Sequence, residues 1–464
     1  MNRLGPDEAR GVGPAALLAP EHGVVPFTGR GRELAELRSW ARSRDPVALR
    51  LLSGLGGVGK TRLALELGRR LRRTGWTVVH VPVGQEVSAL SRVVGARRVL
   101  LVLDTAGCRP GLTPMLDAIG AAPWRGHLRI LCIARTGGQW WRRERWTSTL
   151  WAEHTPPVTH MALDPAPDRV PDVMFDSALG LAADRPDDVP ALLDGVAARF
   201  ARKLGKPVPR IRFEPTPGLR LRALDLHATA LAAVLDGGRE PVDPATALGV
   251  VLEHERGGWV RSATAAGLVA GAGGTAEAAL AAATLLGDSS DDGLRAALRC
   301  AGVEPDTQTP ETVGWLRAHL FRVPRLAELF VARVLAESDE LIDACTSDLE
   351  QGQACKVLEA ATRMSLDRPA AKRDVTGELI AVAVSALPDQ HPKDLACLMR
   401  VARRLPRSAG PLAVPVLDRL THRIADLAGP GTTTRCARRL WPTSASCWSQ
   451  RATPTPPWCS WGRR

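Results

Sequence analysis

The sequence contains no tyrosine, only six phenylalanines and only six lysines among its 61 basic residues. A base-stacking surface for single-stranded nucleic acid would therefore have to be built from tryptophan alone. No run of about 18 uninterrupted apolar residues occurs, so we expect no membrane-spanning helix and no membrane partner. The first 26 residues lack the basic start and long apolar core of a signal peptide. We therefore interpret the protein as cytoplasmic.

The nine cysteines form no CxxC pair and no cysteine–histidine spacing of a zinc site, so we expect free thiols. The net charge of +12 is unevenly distributed, because residues 430–464 contain six arginines and no acid. Half of the excess charge thus lies in the last 35 residues, which argues against nucleic acid as a partner.

A length of 464 residues exceeds one compact core and predicts two to four domains. Four apolar runs lie between residues 27 and 160, separated by segments with helical spacing. Continuous apolar runs of this kind predict a parallel sheet covered on both faces. The predicted strands are 47–53, 77–83, 99–104 and 128–135, and the clearest helices follow residues 27–30 and begin at Thr61.

The chain then becomes rich in alanine and leucine with helical periodicity, which predicts an all-α region after the α/β domain. Short strands near residues 258–260 would fit a candidate winged-helix unit over residues 245–310. The predicted organisation is a disordered N-terminus (1–26), a P-loop NTPase domain (27–160), a linker or helical segment (161–218), a helical lid with the winged-helix unit (219–310), a further helical region (311–429) and a disordered tail (430–464).

The segment Gly54-Leu55-Gly56-Gly57-Val58-Gly59-Lys60-Thr61 has the spacing of a phosphate-binding loop. Glycines allow the backbone to wrap around a triphosphate, and the N-terminus of the following helix adds its dipole. Lys60 is expected to reach the β- and γ-phosphates, and Thr61 to bind Mg²⁺ through its hydroxyl. Arg62 completes the predicted nucleotide-binding segment. A plain glycine turn is the alternative, which the strand before the loop and the helix after it disfavour.

Asp104 ends the third apolar run, where a carboxylate can hold Mg²⁺ directly or through water. A strand-ending aspartate that caps a turn is the alternative. Thr105 and Gly107 stand where an efficient hydrolase has a second acid, so we expect slow hydrolysis, a weak ATPase at most. Arg135 ends the fourth run and is a candidate sensor of the γ-phosphate, with a plain surface arginine as the alternative.

Several of these segments resemble the STAND class of signalling ATPases, which includes the NB-ARC proteins. They are Phe27-Thr28-Gly29-Arg30, the loop 54–61 with Arg62-Leu63-Ala64, Leu101-Val102-Leu103-Asp104 and Ile130-Leu131-Cys132-Ile133-Ala134-Arg135. Residues 135–141, 224–228 and 252–255 are similar to actinobacterial ATP-binding proteins with C-terminal tetratricopeptide repeats. The resemblance implies an ATPase core that binds ATP or ADP with Mg²⁺, a helical lid and a winged helix that act together as a switch.

The sequence departs from these families at two points. Gly107 replaces an acid that the narrower group usually carries, and residues 245–310 contain no Met-His-Asp triplet. His227 and His254 are candidate substitutes for the histidine of that triplet, with packing residues as the alternative.

Three functions remain open from the sequence. The first is an ATP-binding signalling switch with a protein partner or self-association. The second is a small-molecule kinase that uses the same loop, although no acceptor base is evident. The third is a DNA-binding transcriptional regulator, which the wide spacing of the arginines in residues 245–310 disfavours.

The tail combines four tryptophans and three cysteines with no acid and no helical or strand period. Such a composition is typical of GC-rich coding DNA read in a wrong frame, so we expect residues after about 431 to be frame-shifted and a tetratricopeptide array to be lost. A tryptophan-rich tail that docks a partner is the alternative.

Overall fold

A computed structural model describes residues 13–106, 109, 111–121, 124, 126–135, 158–162, 174–175, 189–214, 220–268, 274–347, 349, 351–367, 376 and 379–380. The first half of the chain forms an α/β domain and the second half is helical, as the sequence predicts. The tail after residue 429, and with it the frame-shift hypothesis, lies outside the described residues. No helix in the described part is both long and apolar enough to cross a membrane.

The α/β domain contains a five-stranded parallel sheet with the order β2-β3-β4-β1-β5. Its strands are β1 Val47–Ser53, β2 Thr77–His80, β3 Arg98–Leu103, β4 His127–Ile133 and β5 Val158–Ala162. The first four confirm the predicted strands. β2 ends earlier than predicted, since the chain turns away at residues 81–85 and Val83 is exposed. β5 was not predicted, because its sequence Val-Thr-His-Met-Ala contains two polar residues and so forms no continuous apolar run.

Two apolar layers sandwich the sheet. Successive strand residues point to opposite faces, so Leu52 packs on one side with helices α1 and α2, while Leu51 packs on the other side with α3 and α4. The four helices are α1 Gly31–Ala41, α2 Lys60–Arg72, α3 Glu86–Ser91 and α4 Leu112–Gly120. The carboxyl ends of β1, β3 and β4 therefore meet at one edge of the sheet, which is where parallel α/β sheets bind ligands.

The helical region shares one continuous apolar core. A two-stranded parallel ladder, β6 Met174–Phe175 with β7 Arg220–Leu221, precedes most of it. Its helices are α5 Val189–Leu204, α6 Ala223–Asp236, α7 Ala247–Ala265, α8 Thr275–Leu286, α9 Asp291–Cys300, α10 Pro310–His319, α11 Pro324–Leu335, α12 Asp339–Thr346 and α13 Gln351–Asp367.

Two sequence predictions are wrong in the described residues. Residues 258–260, predicted as a short strand, lie inside α7, and the described part of 245–310 contains helices but no strand of a winged helix. Buried side chains on both sides of the glycine pair, Leu252 before it and Trp259 and Ala263 after it, hold this helix against the core.

The N-terminus is the second error, since residues 13–26 were predicted to be disordered. Pro14–Leu18 forms a 3₁₀ helix, and Ala15, Leu18 and Ala19 are buried against α6 and α7. The short Ala-Ala-Leu-Leu-Ala stretch has too few residues to show a period, yet it supplies enough apolar surface to dock. We refer to residues 13–29 as the N-terminal strap.

Candidate nucleotide site

The residues predicted to bind phosphate form a loop, residues 54–59, between β1 and α2. Gly54, Gly57 and Gly59 have φ values of 146°, 84° and 93°, a region that side chains other than glycine rarely adopt. A Cβ atom at Gly57 would also lie 3.0 Å from the Cβ atom of Leu224. Glycine is thus required at position 57 both by the backbone and by the close approach of the helical region. We call residues 54–59 the glycine loop.

Donors from outside the glycine loop bind its carbonyl groups. Residues 56–58 each accept one such bond: Arg222 Nη1 to Gly56 O (3.0 Å), Leu224 N–H to Gly57 O (3.1 Å) and Arg30 Nη2 to Val58 O (2.8 Å). In a trans peptide the C=O and N–H groups point in opposite directions. The N–H groups of residues 57–59 therefore point away from these donors, to the other side of the loop. Successive N–H groups arranged in this way bind anions.

Lys60, the first residue of α2, reaches back over the loop. Its Nζ atom donates to the carbonyl oxygens of Gly54 and Leu55, both at 2.7 Å. The first turn of α2 adds the positive end of the helix dipole at the same place. An ammonium group, a helix N-terminus and loop N–H groups thus favour an anion at the same place.

Thr61 and Asp104 meet at the carboxyl edge of the sheet. Thr61 Oγ1 donates to Asp104 Oδ2 at 2.6 Å, although 43 residues separate them in sequence. The other carboxylate oxygen accepts from the N–H of Thr105 at 2.7 Å. A hydroxyl beside a carboxylate fits Mg²⁺, which takes a few protein oxygens and fills its octahedron with phosphate oxygens and water.

A buried ion pair supports the segment that follows Asp104. Arg109 donates from Nε to the carbonyl oxygen of Asp104 at 2.7 Å and pairs through Nη1 with Glu86 at 2.9 Å. Both side chains are at most 4% exposed. The pair fixes the end of β3, so the carboxylate of Asp104 has a defined position.

Arg62 holds the N-terminal strap against α2. Its guanidinium donates to the carbonyl oxygens of Pro20 (2.9 Å) and Val25 (2.8 Å). Its side chain is thus directed to the strap, whereas its backbone N–H belongs to the first turn of α2. The strap brings a second acid to the site, because Glu21 lies between these two anchors. Desolvation by the surrounding protein raises the pKa of Glu21, and the negative charge of Asp104 raises it further.

Arg135 connects the sheet to the helical region. Its Nη2 atom donates to both carboxylate oxygens of Glu328 in α11, at 2.6 and 2.8 Å. Its carbonyl oxygen accepts from the N–H of Gly54 at 3.2 Å. Glu328 also accepts from Arg363 Nε at 3.2 Å. Arg135 is therefore in backbone contact with the start of the glycine loop and in side-chain contact with α11.

A second contact from α11 reaches the glycine loop. Arg325 pairs with Asp225, whose other oxygen accepts from the N–H of Arg222 at 3.0 Å and caps α6. The Nη1 atom of Arg325 also lies 3.7 Å from where a Cβ atom of Gly57 would be. The start of α6 and the start of α11 thus meet at the outer side of the loop.

The two candidate histidines lie in different surroundings. His227 is in α6, its ring stacks edge-on against Phe200 at 6.5 Å, and burial lowers its pKa to about 4, with the positive charge of Arg62 contributing. His254 is exposed on α7, near Lys206 and Asp236. Of the two histidines, only His227 interacts electrostatically with a residue of the predicted nucleotide-binding segment, namely Arg62.

Stability is expected to fall as the pH is lowered from about 6.5 towards 4. The folded-state pKa of His227 is below the unfolded value, so the unfolded chain binds the proton first in this window. The loss is complete below the folded pKa and amounts to at most about 3 kcal/mol from this residue. Urea unfolding across this range, compared with His227→Gln, measures it. An unchanged slope in the variant would contradict the assignment.

Comparison of the chain with models of known protein families finds no match, and no curated protein matches it. The function is therefore inferred from the residues of the site.

Sequence reasoning missed the residues that hold the glycine loop from outside. Arg30 follows Gly29 in a Gly-Arg-Gly-Arg repeat, which marks a turn, and it adopts a left-handed conformation with φ of 51°. That local signal was available. Arg222, Arg325 and Glu328 carry no local signal, because their role depends on the docking of distant helices.

Proposed function

We propose that the protein is a nucleotide-operated switch of the STAND type, which binds ATP or ADP with Mg²⁺ and hydrolyses ATP slowly. One observation carries the proposal: the helical region donates hydrogen bonds to the carbonyl groups of Gly56 and Gly57, in the same loop to which we assign phosphate binding. A change of phosphate occupancy on one side of the loop can then alter helix docking on the other.

The chemistry of the loop supports a triphosphate as ligand. Lys60 supplies a cation held beside the loop, residues 57–59 supply N–H donors, and Thr61 with Asp104 supplies the oxygen pair that suits Mg²⁺. The bound metal would shield the phosphate charge, while the loop and Lys60 orient the nucleotide. The identity of the base follows from the family resemblance, which implies adenine.

The helical region supports a switch rather than a simple hydrolase. Its contacts come from α6 through Arg222 and Leu224, and from α11 through Glu328. These helices share one apolar core, so a displacement of one disturbs the packing of the other. A ligand shifts such an equilibrium only by its difference in affinity for the two states. Arg135 can supply that difference, because a carboxylate and a phosphate would compete for its guanidinium.

The two alternatives draw less support from the described residues. A small-molecule kinase needs an acceptor cleft with a base, and a DNA-binding regulator needs a basic recognition element. The face next to the glycine loop is instead covered by α6 and α11. Turnover measured with and without sugar or hydroxy-acid acceptors separates a kinase from a switch.

Asp104→Asn is expected to spare much of the ATP affinity and to remove its dependence on Mg²⁺. The amide keeps the volume and one acceptor for Thr61, but it lacks the charge that a divalent cation requires. Calorimetric titration of ATP with and without Mg²⁺ tests this, with Asp117→Asn in α4 as the matched control. Magnesium titrations of Asp104→Asn that overlay those of the wild type would refute the assignment of Asp104 as a Mg²⁺ ligand.

A further inference from the structure

Two cysteines meet where α9 and α12 end. Cys300 is the last residue of α9 and Cys345 the penultimate residue of α12. The thiol of Cys300 donates to the carbonyl oxygen of Ala344, the residue before Cys345, at 3.3 Å. Both thiols are free, and they lie close enough for each to shift the pKa of the other. The ends of two helices therefore bring a pair of reduced thiols together.

The two thiols differ in exposure and acidity. Cys300 is partly exposed, whereas Cys345 is 3% exposed. The hydrogen bond from Cys345 lowers the pKa of Cys300 to about 7, and the positive charge of Arg299 contributes. The carboxyl end of α9 disfavours a thiolate, so the acidity of Cys300 depends on its partner thiol. The same interaction and burial raise the pKa of Cys345.

We propose that Cys300 and Cys345 form a peroxide-reactive dithiol in which Cys300 is attacked first and Cys345 resolves it. The Cys300 thiolate takes the terminal oxygen of a hydroperoxide as the O–O bond breaks, which gives a sulfenic acid and releases water or an alcohol. The Cys345 sulfur then attacks the sulfenic sulfur, the S–O bond breaks, and water leaves. Two thiols and one hydroperoxide thus give one disulfide, with the peroxide as the two-electron oxidant.

The position of this pair gives the disulfide a structural effect. The segment between the two cysteines contains α10 and α11, and α11 carries Arg325 and Glu328. A bond between Cys300 and Cys345 closes this segment into a ring and restricts its unfolded conformations. Oxidation is therefore expected to stabilise this segment, and α11 with it, against unfolding. The chemistry of the pair does not depend on the proposed nucleotide function.

The first test follows the reaction products in the full-length, reduced protein. Hydrogen peroxide is added at increasing concentration, free thiols are alkylated, and peptides are identified by mass spectrometry. We expect the Cys300–Cys345 disulfide to form at lower peroxide concentration than any other cysteine oxidation. Cys355 lies in the same tryptic peptide as Cys345, so the digest is repeated on Cys355→Ser. A Cys300 thiol that stays reduced while other cysteines oxidise would overturn the proposal.

The second test separates the roles of the two cysteines. In Cys345→Ala, Cys300 should stop at the sulfenic acid and react with a 1,3-dione probe, and its alkylation should reach half its maximal rate nearer the ordinary thiol pKa of about 8.5. In the wild type that midpoint should lie near the lowered pKa of about 7. Identical alkylation profiles in the two proteins, or equal amounts of sulfenic acid, would overturn the assignment of Cys345 as the resolving residue.

Discussion

Lys60→Ala is expected to weaken ATP binding at least tenfold, which corresponds to a loss of about 1.4 kcal/mol or more. The ammonium group is fixed beside the glycine loop by its bonds to Gly54 and Leu55, so its charge faces any phosphate held by the loop N–H groups. A preorganised cation of this kind contributes more than a mobile surface lysine. Fluorescence titration with a labelled ATP analogue and calorimetry with ATP measure the loss.

Lys206→Ala is the matched control for this experiment. Lys206 also donates to a backbone carbonyl, that of Leu235 at 3.1 Å, but it lies in the helical region away from the glycine loop. Both variants lose one positive charge and one or two bonds to carbonyl groups. We expect Lys206→Ala to bind ATP like the wild type. Near-normal affinity in a folded Lys60→Ala variant would refute the proposed nucleotide site.

The sheet could be predicted because its strands have a recognisable pattern in the local sequence. β1, β3 and β4 are largely continuous apolar runs, because a parallel strand that is buried on both faces of the sheet has no solvent-facing side chains. The meeting of Thr61 with Asp104 was also implied, because parallel strands bring their carboxyl ends to one edge. The bond of 2.6 Å between the two side chains agrees with that expectation.

The remaining contacts depend on surfaces that are distant in sequence. Glu328 reads as an ordinary charged residue of a helix, and it becomes buried only when α11 docks against the end of β4. The N-terminal strap was misjudged for a similar reason. Its apolar residues are too few for a periodic pattern, and their burial depends on the groove between α6 and α7.

Buried charge at this boundary makes the docking of α11 sensitive to one residue. The Arg135–Glu328 pair is bidentate, with the two side chains 15% and 7% exposed. Removal of one partner from a buried pair leaves the other charge uncompensated and costs more than the loss of a surface pair. The pair Arg333–Glu253 provides the contrast, because it joins α11 to α7 at 2.9 Å with Glu253 49% exposed.

Glu328→Gln is expected to lower the free energy of unfolding by roughly 2–4 kcal/mol. The amide cannot neutralise Arg135 and Arg363, both of which donate to this carboxylate. Under the proposed switch, the freed guanidinium of Arg135 becomes available to a γ-phosphate. The ratio of ATP to ADP affinity should then rise at least fivefold, within the usual range of about 1–3 kcal/mol for coupled sites. Urea unfolding and competitive nucleotide titrations measure the two effects.

Glu253→Gln is the matched control, since it removes the same charge from an exposed pair that also anchors α11, through Arg333. A surface pair contributes about 0–1 kcal/mol, so this variant should unfold and bind nucleotide like the wild type. The double variant Arg135→Ala with Glu328→Gln should be less destabilised than the sum of its single changes, because each removes the same contact. If Glu328→Gln lowers stability but leaves the ATP to ADP ratio unchanged, the pair stabilises the junction without reporting the nucleotide. Arg135 would then serve only to hold α11 against the sheet. Phosphate binding would have to affect helix docking through the contacts of Arg222 and Leu224 with the glycine loop.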